Sequence, residues 1–243
     1  MSELALEIDG LSAGYPGRPV LSAIDLRIAR GEWLALIGPN GSGKSTLLDC
    51  VSGRMPLHAG SIRIAGIDLG TSAASAKQHL GYALAPEKLP ALLTGRQCLA
   101  VYAAAKRVAG TDDELEALAG ELGIQRWLDD AVALYSYGMR QKLAILLALV
   151  GEPVLVVLDE SFNGLDSTSG LALKRRLRER VAAGRCAILL ATHALDIVER
   201  HADRAVLLHD TRLIGSWNRT DLDRVRASAG GLEAALAVTM RDT

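Results

Sequence analysis

The stretch Gly38-Pro39-Asn40-Gly41-Ser42-Gly43-Lys44-Ser45-Thr46 decides the fold of this chain. It follows the pattern G-x-x-x-x-G-K-[ST]. The apolar run Trp33–Ile37 before it predicts a buried strand, and Lys44–Val51 predicts the helix after it. A strand, a glycine-rich turn and a helix together form a nest of backbone N–H groups where polyphosphate oxygens bind. The context therefore predicts a P-loop, and the alternative is a chance glycine turn before a helix.

Three kinds of contact are expected within this loop. Gly41 and Gly43 allow unusual φ values and let the backbone approach phosphates closely. Lys44 can reach the β- and γ-phosphates, and the Ser45 hydroxyl can hold Mg²⁺. The expected nucleotide-binding residues of the loop are Gly38, Pro39, Asn40, Gly41, Ser42, Gly43, Lys44, Ser45 and Thr46.

Composition excludes several classes of protein. The net charge of −1 over 243 residues gives no broad basic surface for nucleic acid. Hydrophobic residues make up 49% of the chain, but no apolar run approaches the roughly 20 residues needed to cross a bilayer. The start, Met1-Ser2-Glu3-Leu4, lacks the features of a signal peptide. Cys50, Cys98 and Cys186 are scattered and odd in number, which favours reduced cytoplasmic thiols over a disulfide framework or a metal cluster.

The pattern of apolar runs on both sides of the loop is typical of an α/β chain. Residues 10–19 are rich in turn formers and predict a loop that carries Tyr15, and residues 60–64 predict an edge strand. Ala85-Pro86-Glu87 breaks a strand and leaves Glu87 at its exit. The predicted strands are 4–8, 20–28, 33–37, 60–64, 80–84, 154–158, 187–191, 205–208 and 212–214.

Helical patterns dominate the middle of the chain. Stretches 94–108, 112–122 and 137–150 predict helices, the second opened by a capping box at Thr111-Asp112-Asp113-Glu114. We expect an inserted helical subdomain at 88–150, between core segments 1–87 and 151–220, and a helical tail at 221–243. A further helix at 167–182 carries basic residues that are expected to form a solvated face: Lys174, Arg175, Arg176, Arg178 and Arg180.

Polar residues at the ends of two buried strands are candidates for catalysis. Asp159 and Glu160 follow the run 154–158, at the edge where ligands bind in open α/β sheets. Asp159 can hold Mg²⁺ and Glu160 can act as general base on an attacking water. The alternative is a solvent-exposed pair of charges. His193 lies two residues past the run 187–191 and could contact a γ-phosphate, or it could be only a hydrogen-bonded residue.

Two other residues have open interpretations. Ser136 opens a predicted helix, where its hydroxyl and the free N–H groups suit either N-capping or binding of an anion. Tyr15 could stack on a purine base or could be half-packed on the sheet.

Taken in order, these segments resemble the nucleotide-binding subunit of ABC transporters over residues 4–210. By resemblance, Tyr15 stacks on adenine, residues 38–46 cradle the phosphates, Glu87 occupies the Q-loop position, and Asp166 lies in the D-loop among the nucleotide-binding residues. The family binds ATP between the P-loop of one subunit and the signature of another, so Ser136 and Gly138 are expected to contact ATP across a dimer. The segments that carry the resemblance are the P-loop, Ala85-Pro86-Glu87, Tyr135-Ser136-Tyr137-Gly138-Met139, Leu158-Asp159-Glu160, Asn163-Gly164-Leu165-Asp166 and Ala191-Thr192-His193.

The sequence departs from the family pattern at two places. Tyr135-Ser136-Tyr137-Gly138-Met139 stands for the common Leu-Ser-Gly-Gly-Gln, and Glu87 replaces the Q-loop glutamine. Glu87 could still touch Mg²⁺ or the attacking water. Both departures resemble the exporter subgroup with ABC-2-type membrane subunits.

The resemblance implies a P-loop NTPase core with a mixed sheet, an N-terminal antiparallel β region and an inserted helical subdomain. It also implies an ATPase that uses Mg²⁺, forms a homodimer or heterodimer on binding ATP, and drives a separate integral membrane permease from the cytoplasmic face, in export. The competing interpretation is a soluble ABC ATPase of the iron–sulfur assembly type. A P-loop kinase or GTPase would leave Ser136 and His193 unexplained.

Overall fold

The buried strands predicted around the P-loop form one mixed sheet. The computed structural model describes residues 3–110 and 113–241, and in this part of the chain the sheet has six strands in the order β10-β9-β3-β8-β7-β6. Strands β9, β3, β8, β7 and β6 are parallel, whereas β10 pairs antiparallel with β9. The bounds are β3 Trp33–Ile37, β6 Leu80–Tyr82, β7 Leu155–Asp159, β8 Ala187–Ala191, β9 Arg204–His209 and β10 Arg212–Asn218.

Strand β3 shows why its sequence is apolar throughout. Trp33, Ala35 and Ile37 pack into the hydrophobic cluster on the side of the middle helices. Leu34 and Leu36 pack into a second cluster on the opposite face. Since successive strand residues point to opposite faces, a strand buried on both sides loses the apolar–polar alternation of an exposed strand.

A second, antiparallel sheet confirms the expected N-terminal β region and corrects two details. Its order is β2-β1-β4-β5, with β1 Leu4–Tyr15, β2 Arg18–Ala29, β4 Ala59–Ile64 and β5 Ile67–Asp68. The loop expected at 10–19 is wrong, because β1 continues to Tyr15 and only two residues turn to β2. Its glycines mark shifts of register within the pairing. Strand β4 is not an edge, since β5 pairs on its outer side.

The helices confirm most of the expected helical segments. Helix α1 spans Lys44–Val51 and follows the P-loop. Helix α2 is short and was not predicted. The strand expected at 80–84 ends at Tyr82, and a single helical turn at Pro86–Lys88 follows it. The remaining helices are α2 Ala73–Gln78, α3 Gly95–Ala105, α4 Asp113–Glu121, α5 Tyr137–Leu149, α6 Ser167–Ala182, α7 Leu195–His201, α8 Arg219–Ala227 and α9 Gly231–Arg241.

Helices α3, α4 and α5 fall between β6 and β7, where the helical insertion was expected. Helix α5 also lies on the main sheet, because a side chain at Gly81 of β6 would collide with the Ala148 carbonyl of α5. The boundaries 88–150 and 221–243 therefore stay predictions. The predicted capping box begins at Thr111 and Asp112, which lie outside the described residues. Among the described helices, none is long and apolar enough to span a bilayer.

The basic face of α6 is solvated only in part, which corrects the expectation: Arg175 is exposed although it pairs with a carboxylate, whereas Arg180 is buried. Arg180 is 4% exposed, and its Nε donates to Glu114 Oε1 at 2.9 Å. Arg175 and Arg176 both pair with Glu121 of α4. These arginines of α6 pair with glutamates of α4. The sequence of α6 alone does not show such partners, because they lie on another helix.

Candidate functional site

The P-loop has a backbone that only glycine accommodates at its two ends. Gly38 has φ +154°, and a side chain there would collide with the Leu208 carbonyl of β9. Gly43 has φ +107° at the N-cap of α1, where a Cβ would lie 3.0 Å from Val20. Such positive φ values favour glycine because L-residues are strained there. The loop therefore holds its turn close to both neighbouring strands.

Some polar groups in this loop lack partners within the described part of the chain. Helix α1 begins without a side-chain cap, and Ser42 Oγ is buried with no hydrogen-bond partner. Lys44 Nζ donates to the carbonyl oxygens of Gly38 at 2.7 Å and Pro39 at 3.1 Å. Uncapped N–H groups at a helix start, with a lysine beside them, form a site for an anion.

A cleft of about 300 Å³ lies in front of these groups and brings several predicted residues together. Tyr15 lines it at the end of β1 with its side chain exposed. Arg18 and Val20 also line it, and sequence reasoning missed them because the turn at 16–17 looks like part of a longer loop. A two-residue hairpin pairs Tyr15 with Arg18, so strand register was the signal that could have found them. The remaining lining residues are Asn40, Gly41, Gly43, Lys44, Ser45, Thr46, Asp159 and Glu160.

The electrostatics of the cleft favour a bound cation as well as an anion. Burial lowers the pKa of Lys44, although the carboxylates of Glu160 and Asp159 oppose that shift. Burial also raises the pKa of Asp159, while a hydrogen bond from the Ser45 hydroxyl opposes the shift. A hydroxyl and a carboxylate are hard oxygen ligands of the kind that Mg²⁺ binds. The residues present at Ser45 and Asp159 therefore fit a magnesium ion.

Glu160 and His193 lie side by side at the ends of β7 and β8. His193 Nδ1 is 2.8 Å from Glu160 Oε1. An ionised carboxylate only accepts hydrogen bonds, so Nδ1 carries the proton when Glu160 is charged. The other oxygen, Oε2, accepts from Thr192 Oγ1 at 3.1 Å and from Asn163 Nδ2 at 3.3 Å.

Ser136 lies outside this cleft, at the start of α5. Its hydroxyl accepts from Met139 N at 3.2 Å and caps the helix. Gly138 lies in the first turn of the same helix, close to the Gly164 carbonyl. Glu87 is exposed in the turn Pro86–Lys88 and does not line the cleft. These three residues are therefore separate from the P-loop within one chain.

Asp166 is held by contacts within the chain. Its Oδ1 accepts from Ser169 N at 2.9 Å and caps α6. Its Oδ2 is 2.7 Å from Lys142 Nζ of α5. The Lys142 hydrogen bond, followed by those of Ser169, holds the pKa of Asp166 well below its usual range. Asp166 thus links α5 to α6.

Comparison with known proteins agrees with this geometry. The family model described as ABC transporter matches residues 21–163. The chain belongs to the ABC transporter family. It is an ATP-binding subunit of this family and an ATPase coupled to transport.

Two curated relatives and one solved structure show the extent of the similarity. The Nod factor export ATP-binding protein I of Rhizobium johnstonii is 32% identical over 88% of this chain and 69% of its own length. The aliphatic sulfonates import ATP-binding protein SsuB 3 of Rhodococcus jostii is 34% identical over 85% of this chain and 72% of its own. A structure of an ATP-binding subunit of an ABC transporter superposes with a TM-score of 0.87 and 33% identity, covering 97% of this chain and 99% of that one.

Proposed function

We propose that this ABC ATPase forms a head-to-tail dimer on binding two ATP molecules and thereby drives a separate membrane permease in export. The observation that carries the proposal is that Lys44, Ser45, Asp159 and Glu160 line one cleft, whereas Ser136 lies outside that cleft, exposed at the start of α5. The cleft supplies phosphate contacts without Ser136. A second copy would bring Ser136 to the same nucleotide.

The residues predicted to hold the nucleotide have separate proposed roles. Tyr15 stacks on the adenine, and residues 38–46 hold the phosphates with backbone N–H groups and Lys44. Ser45 and Asp159 hold Mg²⁺, and Glu87 joins them once the nucleotide is bound. Bound Mg²⁺ neutralises charge on the β- and γ-phosphates. A cation is needed there because the carboxylates of Asp159 and Glu160 lie near Lys44 and would repel the phosphates.

Hydrolysis is proposed to depend on the pair Glu160 and His193. Glu160 accepts a proton from the water that attacks the γ-phosphorus. His193 donates from Nδ1 to Glu160 and so orients the carboxylate, and in its imidazolium form its Nε2 would also donate to a phosphate oxygen. Ser136 and Gly138 contact the γ-phosphate from the other subunit, and Asp166 positions that subunit's helix. Binding closes the dimer and hydrolysis reopens it, as a ligand-biased two-state equilibrium.

A second, largely apolar groove supports the proposed permease contact. A cavity of about 310 Å³ lies between α3 and the exit of β6, lined by Tyr82, Leu84, Val101 and Tyr102 among others. Val101 is 55% exposed there. An apolar groove next to the turn that carries Glu87 suits a helix or loop of a membrane subunit. We propose that this contact places the chain at the inner, cytoplasmic face of the membrane.

Export is the finer part of the proposal. It is supported by the Tyr135–Met139 segment and by similarity to a relative named for Nod factor export. A relative named for sulfonate import has similar identity, so direction needs its own measurement. Purification from detergent-solubilised membranes, followed by identification of the bound integral membrane chain and a vesicle assay of cargo movement, tests both partner and direction.

The decisive test of the site is Glu160→Gln, with Glu233→Gln on α9 as the control. Loss of a general base lowers turnover by at least about 100-fold. The ATP-bound dimer should then accumulate, because reopening depends on hydrolysis. Turnover is measured by phosphate release and dimerisation by light scattering with ATP. If both properties of Glu160→Gln match the control, the site assignment is wrong.

A further inference from the structure

Thr192 occupies a position between the two proposed catalytic side chains. It follows β8 directly and is 2% exposed. Its hydroxyl accepts from Ala194 N at 3.1 Å, which fixes the turn that carries His193. The same hydroxyl donates its one proton to Glu160 Oε2 at 3.1 Å. The buried Thr192 hydroxyl therefore connects the backbone of the turn that carries His193 to the carboxylate of Glu160.

Asn163 reaches the same oxygen from the other side. Its backbone N donates to the Glu160 carbonyl at 3.0 Å, which forms a tight turn after β7. Its side-chain amide donates to Glu160 Oε2 at 3.3 Å. Unlike Thr192, Asn163 is exposed, so its hydrogen bond is not needed to satisfy a buried group. The carboxylate thus has Oε1 on His193 and Oε2 on two neutral donors.

The backbone of Glu160 makes this arrangement unusual. Its φ is +47°, a value that non-glycine residues adopt only when their surroundings enforce it. Glu160 N donates to the Ala191 carbonyl at 2.9 Å, next to Thr192. The terminal torsion of a glutamate is broad and two-fold, so the backbone alone does not set the plane of the carboxylate. Its side-chain partners must do so.

We infer that Thr192 and Asn163 are positioning residues for ATP hydrolysis, which hold Glu160 Oε2 so that the carboxylate keeps one orientation toward the attacking water. The inference rests on the proposed role of Glu160 as general base. Small errors in the position of a reacting group are costly, since about 1 Å of misplacement can lower a rate by about 100-fold. Thr192 acts on both members of the pair, and Asn163 acts on Glu160 alone.

Two substitutions of Thr192 separate orientation from packing. Thr192→Val keeps the volume and removes the hydroxyl, whereas Thr192→Ser keeps the hydroxyl and removes a methyl group. We expect Thr192→Val to lower kcat by at least about tenfold, the effect of losing a hydrogen bond to a charged group, with the KM for ATP changed less than about threefold. Thr192→Ser should restore most of the kcat despite its reduced packing. Thr239→Val on α9 removes a hydroxyl elsewhere and is the control.

Substitutions of Asn163 provide the independent arm. Asn163→Ala should lower kcat several-fold, and Asn163→Asp should lower it further because a second carboxylate would repel Glu160. Since Asn163 is exposed, both variants should fold even where Thr192→Val does not. Steady-state kcat and KM, with the melting temperature of each variant, are the measurements.

The outcomes distinguish this inference from the proposed function. If Thr192→Val and Asn163→Ala keep kcat within about twofold while Glu160→Gln abolishes turnover, the positioning role is overturned and the proposed function stands. Equal losses in Thr192→Ser and Thr192→Val would also overturn it, since packing would then explain both. If Glu160→Gln retains turnover, it is the proposed function that fails.

Discussion

The nucleotide cleft and the tip of α5 differ in how their polar groups are satisfied. In the cleft, α1 starts without a cap and Ser42 Oγ is buried without a partner in the described chain. At the tip, Ser136 caps its own helix and the nearby Asp166 pairs with Lys142. The proposed nucleotide site in the cleft therefore lies within one chain, whereas the proposed role of the tip in binding needs a second copy. Substitutions should affect the two regions in different ways.

The largest effect is expected from Lys44→Ala in the cleft. Lys44 Nζ lies within 3.1 Å of two loop carbonyl oxygens and is the buried cation among the groups lining the cleft. Without the two charge-assisted hydrogen bonds that this ammonium can make to the β- and γ-phosphates, ATP binding should weaken by more than about 100-fold. Equilibrium binding of ATP measures this. Lys88→Ala, on the exposed turn after β6, is the matched control and should bind as the wild type does.

The second prediction asks whether the tip does more than cap a helix. Ser136→Ala removes an N-cap and should cost about 1 kcal/mol of folding free energy. Thr94→Ala removes the comparable cap of α3, where Thr94 Oγ1 accepts from Gln97 N at 3.1 Å. Both variants should lose similar stability in denaturant titrations. Only Ser136→Ala should also lower turnover by at least about tenfold, because it removes a donor to the developing charge on the phosphate.

If Ser136→Ala and Thr94→Ala have the same turnover and the same ATP-dependent dimerisation, Ser136 acts only as a helix cap. The dimer interpretation of the tip would then have no support from this residue. Reduced ATP binding by the isolated Ser136→Ala monomer would contradict the separation of the two regions, since Ser136 lies outside the cleft.

The same contrast explains what the sequence could predict. Strands β3, β7 and β8 were predictable because each is an apolar run buried on both faces, and the P-loop motif lies directly after β3. The exit of these strands places Asp159, Glu160 and His193 at one edge. Arg18 was not predictable without the register of β1 and β2, because glycines within a bulged strand look like a loop.

Other features depend on pairs distant in the chain. The contact of Arg180 with Glu114 spans 66 positions, and the hydrogen bond of Thr192 to Glu160 spans 32. No local pattern encodes either one. Helix α6 was correctly placed from its sequence, yet its basic face was misassigned because its acidic partners lie on α4. For Ser136 and Asp166, the motif was recognisable, but the contacts within one chain do not test the proposed contact with ATP.

The third prediction concerns the ion pairs that join the helical region to α6. Hydrogen bonds from Arg180 and then Arg185 lower the pKa of Glu114 to about 2, although burial opposes the shift. Glu114→Gln would leave Arg180 buried with a weaker partner. Because Glu114 is partly exposed and screened, we expect a loss of about 2 kcal/mol at pH 7, less than for a fully buried pair. Thermal melts should show a decrease of roughly 4–8 °C.

The pH dependence of this loss follows from the sign of the shift. A carboxyl with a lowered folded pKa stabilises the fold above its unfolded pKa, near 4.5, and that contribution disappears as pH falls toward about 2. The difference in free energy of unfolding between wild type and Glu114→Gln should therefore be constant from pH 7 to about 5 and should decrease below that. Glu152→Gln is the control, since Glu152 is exposed and lies 3.9 Å from the same Arg185. A gap that widens in acid would contradict the assignment.

The smallest effect on folding and binding is expected from Glu87→Gln, in the turn Pro86–Lys88 outside the cleft. Glu87 is exposed in the turn Pro86–Lys88, so the free energy of unfolding should change by less than about 0.5 kcal/mol. ATP affinity should change little, because glutamine keeps an amide oxygen for the proposed Mg²⁺ contact and removes a negative charge near the γ-phosphate. The change should instead appear in cargo moved per ATP hydrolysed in membrane vesicles. Lys88→Gln changes charge in the same turn and separates a specific role of Glu87 from a general electrostatic one. Complete loss of ATP binding in Glu87→Gln would contradict a role of Glu87 in coupling, since the other residues of the cleft should still bind ATP.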